Sequence, residues 1–140
     1  MSCLALTLAA ALTAAAPVQP LSQEPLFADI VSRAETLEAE ARTFKGRPVA
    51  DLTRFRVEVS ALAALDMQGH LTLKARGSDG DLKCILKGIS QDLPLKLDAL
   101  AAAPDALTRD MAVDEIVALL DDNGAVVTQP PGPATPAPAD

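Results

Sequence analysis

Apolar residues recur along the chain at two different periods. From Phe27 to Phe44 they fall at three- and four-residue steps, with Phe27, Ile30, Val31, Ala34, Leu37, Ala41 and Phe44 forming one stripe. That spacing predicts a helix over residues 22–45. Ser22 or Gln23 ends the preceding coil, Pro25 suits a first turn, and Glu24 and Asp29 complement the positive end of the helix. Gly46 is a natural stop.

The period then changes to two. Phe55, Val57 and Val59 alternate with Arg54, Arg56, Glu58 and Ser60, the pattern of a half-buried strand. Asp66-Met67-Gln68-Gly69 reads as a turn. Leu71, Leu73 and Ala75 then alternate with His70, Thr72, Lys74 and Arg76 as a second strand. Gly77-Ser78-Asp79-Gly80 carries hairpin chemistry, and Leu82, Cys84 and Leu86 alternate with Lys83, Ile85 and Lys87 as a third strand ending at Gly88. Past Asp92, Pro94 opens a short amphipathic segment with Leu93, Leu97, Leu100 and Ala101, ended by Pro104. Residues 111–128 fit two readings. One is a helix begun at Asp110, with Val113, Ile116, Val117 and Leu120 on its apolar face and Asn123-Gly124 as its stop; the other is a hairpin turning through Asp121 to Gly124.

These elements predict one α+β domain over residues 22–128, an N-terminal helix with a small antiparallel sheet. With 111–128 as a hairpin, the order of three strands, a helix and two strands is that of the five-stranded OB barrel. The leading helix, the run Phe44-Lys45-Gly46-Arg47-Pro48-Val49 and the segment Leu82-Lys83-Cys84-Ile85-Leu86 resemble bacterial exported OB-fold domains of the anticodon-binding-like type. The resemblance spans about residues 28–128 and implies the barrel, with no catalytic residues to transfer. A Gly-led fourth strand, part of that family's pattern, is missing here.

Composition sets the core and the tail. Hydrophobic residues make up 49% of the chain, yet Phe27, Phe44 and Phe55 are its only aromatics, so the core is aliphatic. From Gln129 onward Pro stands at 130, 131, 133, 136 and 138, which makes 129–140 an extended, disordered tail in expectation.

The start of the chain predicts export. No charged side chain precedes Glu24, and Leu4 to Ala16 is an unbroken run of Leu, Ala and Thr. That is a signal-peptide apolar region followed by small residues, and residues 1–16 are read as the segment removed. A membrane span wants about 20 apolar residues, more than this run supplies. The expected location is therefore the periplasm or the exterior. Cys84 is then the one thiol left after removal of Cys3, and strand spacing with Leu82 and Leu86 predicts it buried.

Charge and reactive residues exclude most chemistries. The net charge of -7 hides a basic middle: residues 42–96 carry ten bases and six acids, against five acids and one base before them and eight acids and one base after. A lone His70 and a lone thiol fall short of a zinc site, and no Ser or Cys triad is readable, so neither enzyme nor cofactor is expected. Asp79-Gly80-Asp81 and Asp121-Asp122-Asn123 read as turns, too short for a calcium loop. Arg54, Arg56, Lys74, Arg76, Lys83 and Lys87 occupy the polar phase of the three strands and so share one sheet face in expectation. Such a face either keeps a sheet soluble or docks an anionic partner: an acidic protein, a polysaccharide or a lipid head group. Nucleic acid is disfavoured, because base-stacking aromatics are missing. The expected function is a non-catalytic exported binding protein. Its rival is a structural envelope component using the Pro-rich tail as a spacer.

Overall fold

A computed structural model of the chain describes residues 19–49, 51–78 and 80–132. After a short 3-10 turn at Leu21–Gln23 come four helices: α1 (Pro25–Arg42), α2 (Thr53–Ala75), α3 (Leu82–Ala102) and α4 (Ala106–Thr128). Each packs on its neighbours in a ring, α1 on α2 and α4, α3 on α2 and α4. Short connections make sequential helices antiparallel, and the ion pairs show it: Glu40 near the end of α1 meets Arg54 at the start of α2, and Glu24 before α1 meets Arg76 after α2. Helices α2 and α4 stand diagonally across the core, as do α1 and α3.

Each helix has an apolar stripe, and the four stripes meet in one core. Helix α1 contributes Phe27, Ile30, Ala34, Leu37 and Ala41; α3 contributes Leu82, Leu86, Ile89, Leu93, Leu97 and Leu100. Helix α2 places Phe55, Val59, Leu62 and Leu73 there, and α4 places Val113, Ile116, Leu120 and Val127. Phe44 meets Phe55 edge to face, ring centres 5.0 Å apart, where the α1–α2 connection folds back.

The expected α+β domain, its antiparallel sheet and the OB barrel are overturned, and with them the OB resemblance: the described residues are helical and contain no strand. The three period-two segments belong to α2 and α3. On α2, Phe55 and Val59 are one helical turn apart and buried, while Val57 between them is 62% exposed on the opposite side. Alternation there arises because Arg54 and Arg56 reach sideways to α1 and α3, not because the chain is extended. The hairpin signal at Gly77 is a helix stop. The Ser78 N–H donates to the Leu73 carbonyl and the Gly77 N–H to that of Lys74, with Gly77 at φ +65°, which is a Schellman ending. A glycine in that conformation serves a hairpin and a helix terminus equally well. Residues 111–128 take the helical reading, and Asn123-Gly124 does not stop α4, which continues to Thr128. Pro94 lies inside α3 instead of opening a new helix.

The first helix stands where its stripe places it, starting at Pro25. Helix α4 begins at an Asp105 cap whose carboxylate accepts from the Thr108 N–H at 2.8 Å. The expected signal segment, residues 1–16, lies outside the described residues, as does the tail from 133. No described helix is long and apolar enough to cross a membrane.

Two glycines inside helices are in opposite surroundings. A Cβ on Gly69 would sit 3.0 Å from Leu86 Cδ1 and 3.3 Å from Ile30 Cδ1 and Phe27 Cε1, so α2 approaches α1 and α3 closely at this point. A Cβ on Gly88 would meet open space. Gly69→Leu is expected to destabilise the chain by about 2 kcal/mol or more through overpacking. Gly88→Ala should stabilise it by about 0.5–1 kcal/mol, and urea unfolding of the two variants measures both.

Candidate functional site

Helix geometry redistributes the six basic residues. Arg54 and Arg56 sit in the first turn of α2, and Lys74 and Arg76 at its far end, about 30 Å away at 1.5 Å per residue. Lys83 and Lys87 open α3, which returns antiparallel, so they join Lys74 and Arg76 at one end of the bundle. The single basic sheet face therefore does not exist; four of the six residues come together and two do not.

The two groups also differ in their partners. Arg54 is paired with Glu40 at 2.7 Å and Arg56 with Asp98 at 2.7 Å, each clamping neighbouring helices. Arg76 bonds both oxygens of Glu24, and this hydrogen bonding holds the Glu24 carboxyl below its usual range. Arg76 also lies 5.9 Å over the Phe27 ring. Lys83 Nζ donates to the Ser78 carbonyl, tying the α2–α3 linker to α3. Among the described residues no carboxylate lies within ion-pair distance of Lys74, Lys83 or Lys87.

The three lysines follow the α2–α3 seam. His70 Nδ1 donates to the Lys83 carbonyl at 2.6 Å, which puts these two residues at the same level. Lys74 then stands one turn nearer the linker and Lys87 one turn farther from it, about 6 Å either way. With its Nδ1 proton committed to the backbone, His70 acts as a helix-to-helix brace. On the outer side of this seam α2 presents Val57, Ala64 and Leu71 at seven-residue intervals, and Val57 and Leu71 are more than half exposed. On α3, Leu95 is 63% exposed. Beneath the basic end lies a cleft of about 420 Å³ between the 3-10 turn, the α2–α3 linker and the start of the C-terminal Pro-rich run, lined by Leu21, Glu24, Leu73, Arg76, Lys83 and Pro130.

Charge is partitioned across the bundle. Helices α1 and α4 carry nine carboxylates and three cations, whereas α2 and α3 carry six cations and four carboxylates, one of them buried. Among the described helices, α2 and α3 thus form the more cationic side of an acidic molecule.

Two polar residues that the sequence pattern concealed lie at the centre. Asp66 and Asn123 are fully buried, and Asn123 Nδ2 donates to Asp66 Oδ2 at 2.7 Å. Burial pushes the Asp66 carboxyl up to about 7, with the Asn123 hydrogen bond pulling the other way. The sequence pattern alone reads both as turn or helix-stop residues. Their signal is positional: Asp66 falls on the stripe of Val59, Leu62 and Leu73, and Asn123 on that of Ile116, Leu120 and Val127, so each is a polar residue in an apolar register.

The chain matches no family model, no curated protein and no solved structure.

Cys84, expected to be buried beside Leu82 and Leu86, is exposed. On a helix those leucines lie two residues away on either side, about 160° around the axis from it. A Cys3→Ser chain should therefore react with one equivalent of Ellman's reagent in the absence of denaturant; a thiol that reacts only after unfolding would contradict this placement.

Proposed function

We propose that the chain is an exported, non-catalytic binding protein that docks an acidic, amphipathic protein segment on the α2–α3 layer. The observation that carries this reading is the gathering of Lys74, Lys83 and Lys87 along one seam, with no carboxylate partner among the described residues, beside the exposed Leu71. Lysines with nearby carboxylates would be satisfied already; these three offer ammonium groups to an incoming anion. The exposed aliphatics favour a protein segment over a polysaccharide or a lipid head group, because they give apolar side chains somewhere to rest between charges. The acidic α1–α4 side repels the same ligand and so fixes which way it approaches.

Support for export comes from residues 4–16, whose uncharged Leu, Ala and Thr run matches a signal-peptide apolar region. Arg54 and Arg56 take no part in docking in this reading. Their carboxylate partners are already in place, and their work is to hold helices together.

The test is fluorescence anisotropy with a labelled peptide bearing Leu and Glu at helical spacing. Binding should weaken about tenfold between roughly 0.05 and 0.5 M salt, since exposed charges are screened over that range. Lys74→Glu/Lys87→Glu should abolish binding, and Arg54→Gln/Arg56→Gln should leave it intact in a chain that still folds. Binding that ignores salt, or that is lost equally with either pair, would refute the assignment.

A further inference from the structure

Two unpartnered oxygens in the core carry an inference independent of the docking reading. Asp66 Oδ2 accepts from Asn123 Nδ2, but among the described residues Asp66 Oδ1 and Asn123 Oδ1, both buried, have no hydrogen-bond partner. If Asp66 is ionised, every oxygen in this pair is an acceptor and only the amide can donate. Such an arrangement strands a charge and two lone-pair acceptors in hydrocarbon, the costliest way to bury this pair.

Among the described residues no other group compensates. The inner face of α1 is Phe27, Ile30, Ala34, Leu37 and Ala41, all apolar. That of α3 is apolar except for Ser90, whose hydroxyl donates to its own helix at the Lys87 carbonyl. Helix α4 faces inward with Ala112, Val113, Ile116, Leu120, Asn123 and Val127, and its Asp121 and Asp122 are exposed. On α2 itself, His70 is one turn from Asp66 and is bonded to the Lys83 carbonyl. Among the described residues no cation reaches Asp66.

We propose that Asp66 is a neutral carboxylic acid in the folded chain and that it forms, with Asn123, a proton-dependent latch joining the diagonal helices α2 and α4. A proton taken from solvent onto Oδ1 supplies the missing donor, and the Asn123 side-chain carbonyl is the matching acceptor. Acid and amide then each donate once and accept once. Losing that proton to solvent leaves a buried anion with one donor, and relief requires the two helices to part or water to enter. Desolvation raising the carboxyl to about 7 agrees with this and places the change near neutral pH.

The sign follows from linkage. The folded state holds the proton over a pH range in which the unfolded Asp66, near 3.8, has lost it. The latch's contribution is therefore complete below about pH 4, declines as pH rises to about 7, and is gone above that.

Asp66→Asn tests this, because an amide at position 66 mimics the protonated acid, donating and accepting at once. The ratio of its folding equilibrium constant to that of the unaltered chain should be near one at pH 4 and grow roughly a thousandfold by pH 8. Taking the ratio cancels the opposing slopes of carboxylates such as Glu24, which are common to both chains. Direct observation of the Asp66 carboxyl carbon by NMR in the unaltered chain gives a second readout that does not depend on any variant folding. Titration near neutral pH supports the latch. Titration in the ordinary carboxylate range, or an Asp66→Asn advantage that does not change with pH, would overturn it.

Discussion

The bundle depends on aliphatic burial along four stripes, because the chain has almost nothing else from which to build a core. With three phenylalanines and no tryptophan or tyrosine, its interior is leucine, isoleucine, valine and alanine at three- and four-residue steps, joined by Phe27 and Phe55. Each fully buried large aliphatic contributes about 1.5–3 kcal/mol. The six on α3 alone outweigh the helix breakers within it, Gly88 at about 1 kcal/mol and Pro94 at about 3 kcal/mol. Tertiary packing, not local propensity, holds α3 in one piece.

Every feature that directs the surface follows from which angles around each helix that core consumes. On α2, the core takes Phe55, Val59, Leu62 and Leu73; Arg54 and Arg76 fall toward α1, and Arg56 and His70 toward α3. Charges at the seams meet charges on the next helix and become clamps. Among the described residues Lys74, Lys83 and Lys87 have no such partner, their seam being lined by cations from both helices. The same geometry that pairs Arg54 and Arg56 with carboxylates gathers the three lysines at the opposite end of the α2–α3 layer.

Helix α1 was legible from its sequence because its stripe is unbroken and its start and stop residues agree with it. Helices α2 and α3 were not, for a reason visible at particular residues. The period-two stretches around Phe55 and Cys84 are only seven residues or so long, and over that length the exposed Val57 and Cys84 imitate the inner face of a strand. Over the whole helix the spacing is decisive: Leu82, Leu86, Ile89, Leu93, Leu97 and Leu100 keep helical steps for five turns, which no strand would. Glycines at 69, 77, 80 and 88 broke that view into short pieces, although only Gly77 and Gly80 of these have the positive φ of a chain reversal. The basic residues of the candidate site were found from charge alone. Their grouping was misplaced, because face assignment inherits any error in period.

Asp66 and Asn123 show why such an error also hides chemistry. Read as turn residues, both are unremarkable, since turns favour Asp, Asn and Gly. In the helical register the same two letters stand at core positions on opposite corners of the bundle. A hydrocarbon interior tolerates slippage of one leucine past another at small cost. It does not tolerate an unmatched carboxyl and amide, because each would lose its one partner. A buried polar pair can therefore fix register where aliphatic packing alone is permissive. In this bundle the hydrogen bond from Asn123 to Asp66 runs across the diagonal and so joins directly two helices that otherwise pack on α1 and α3.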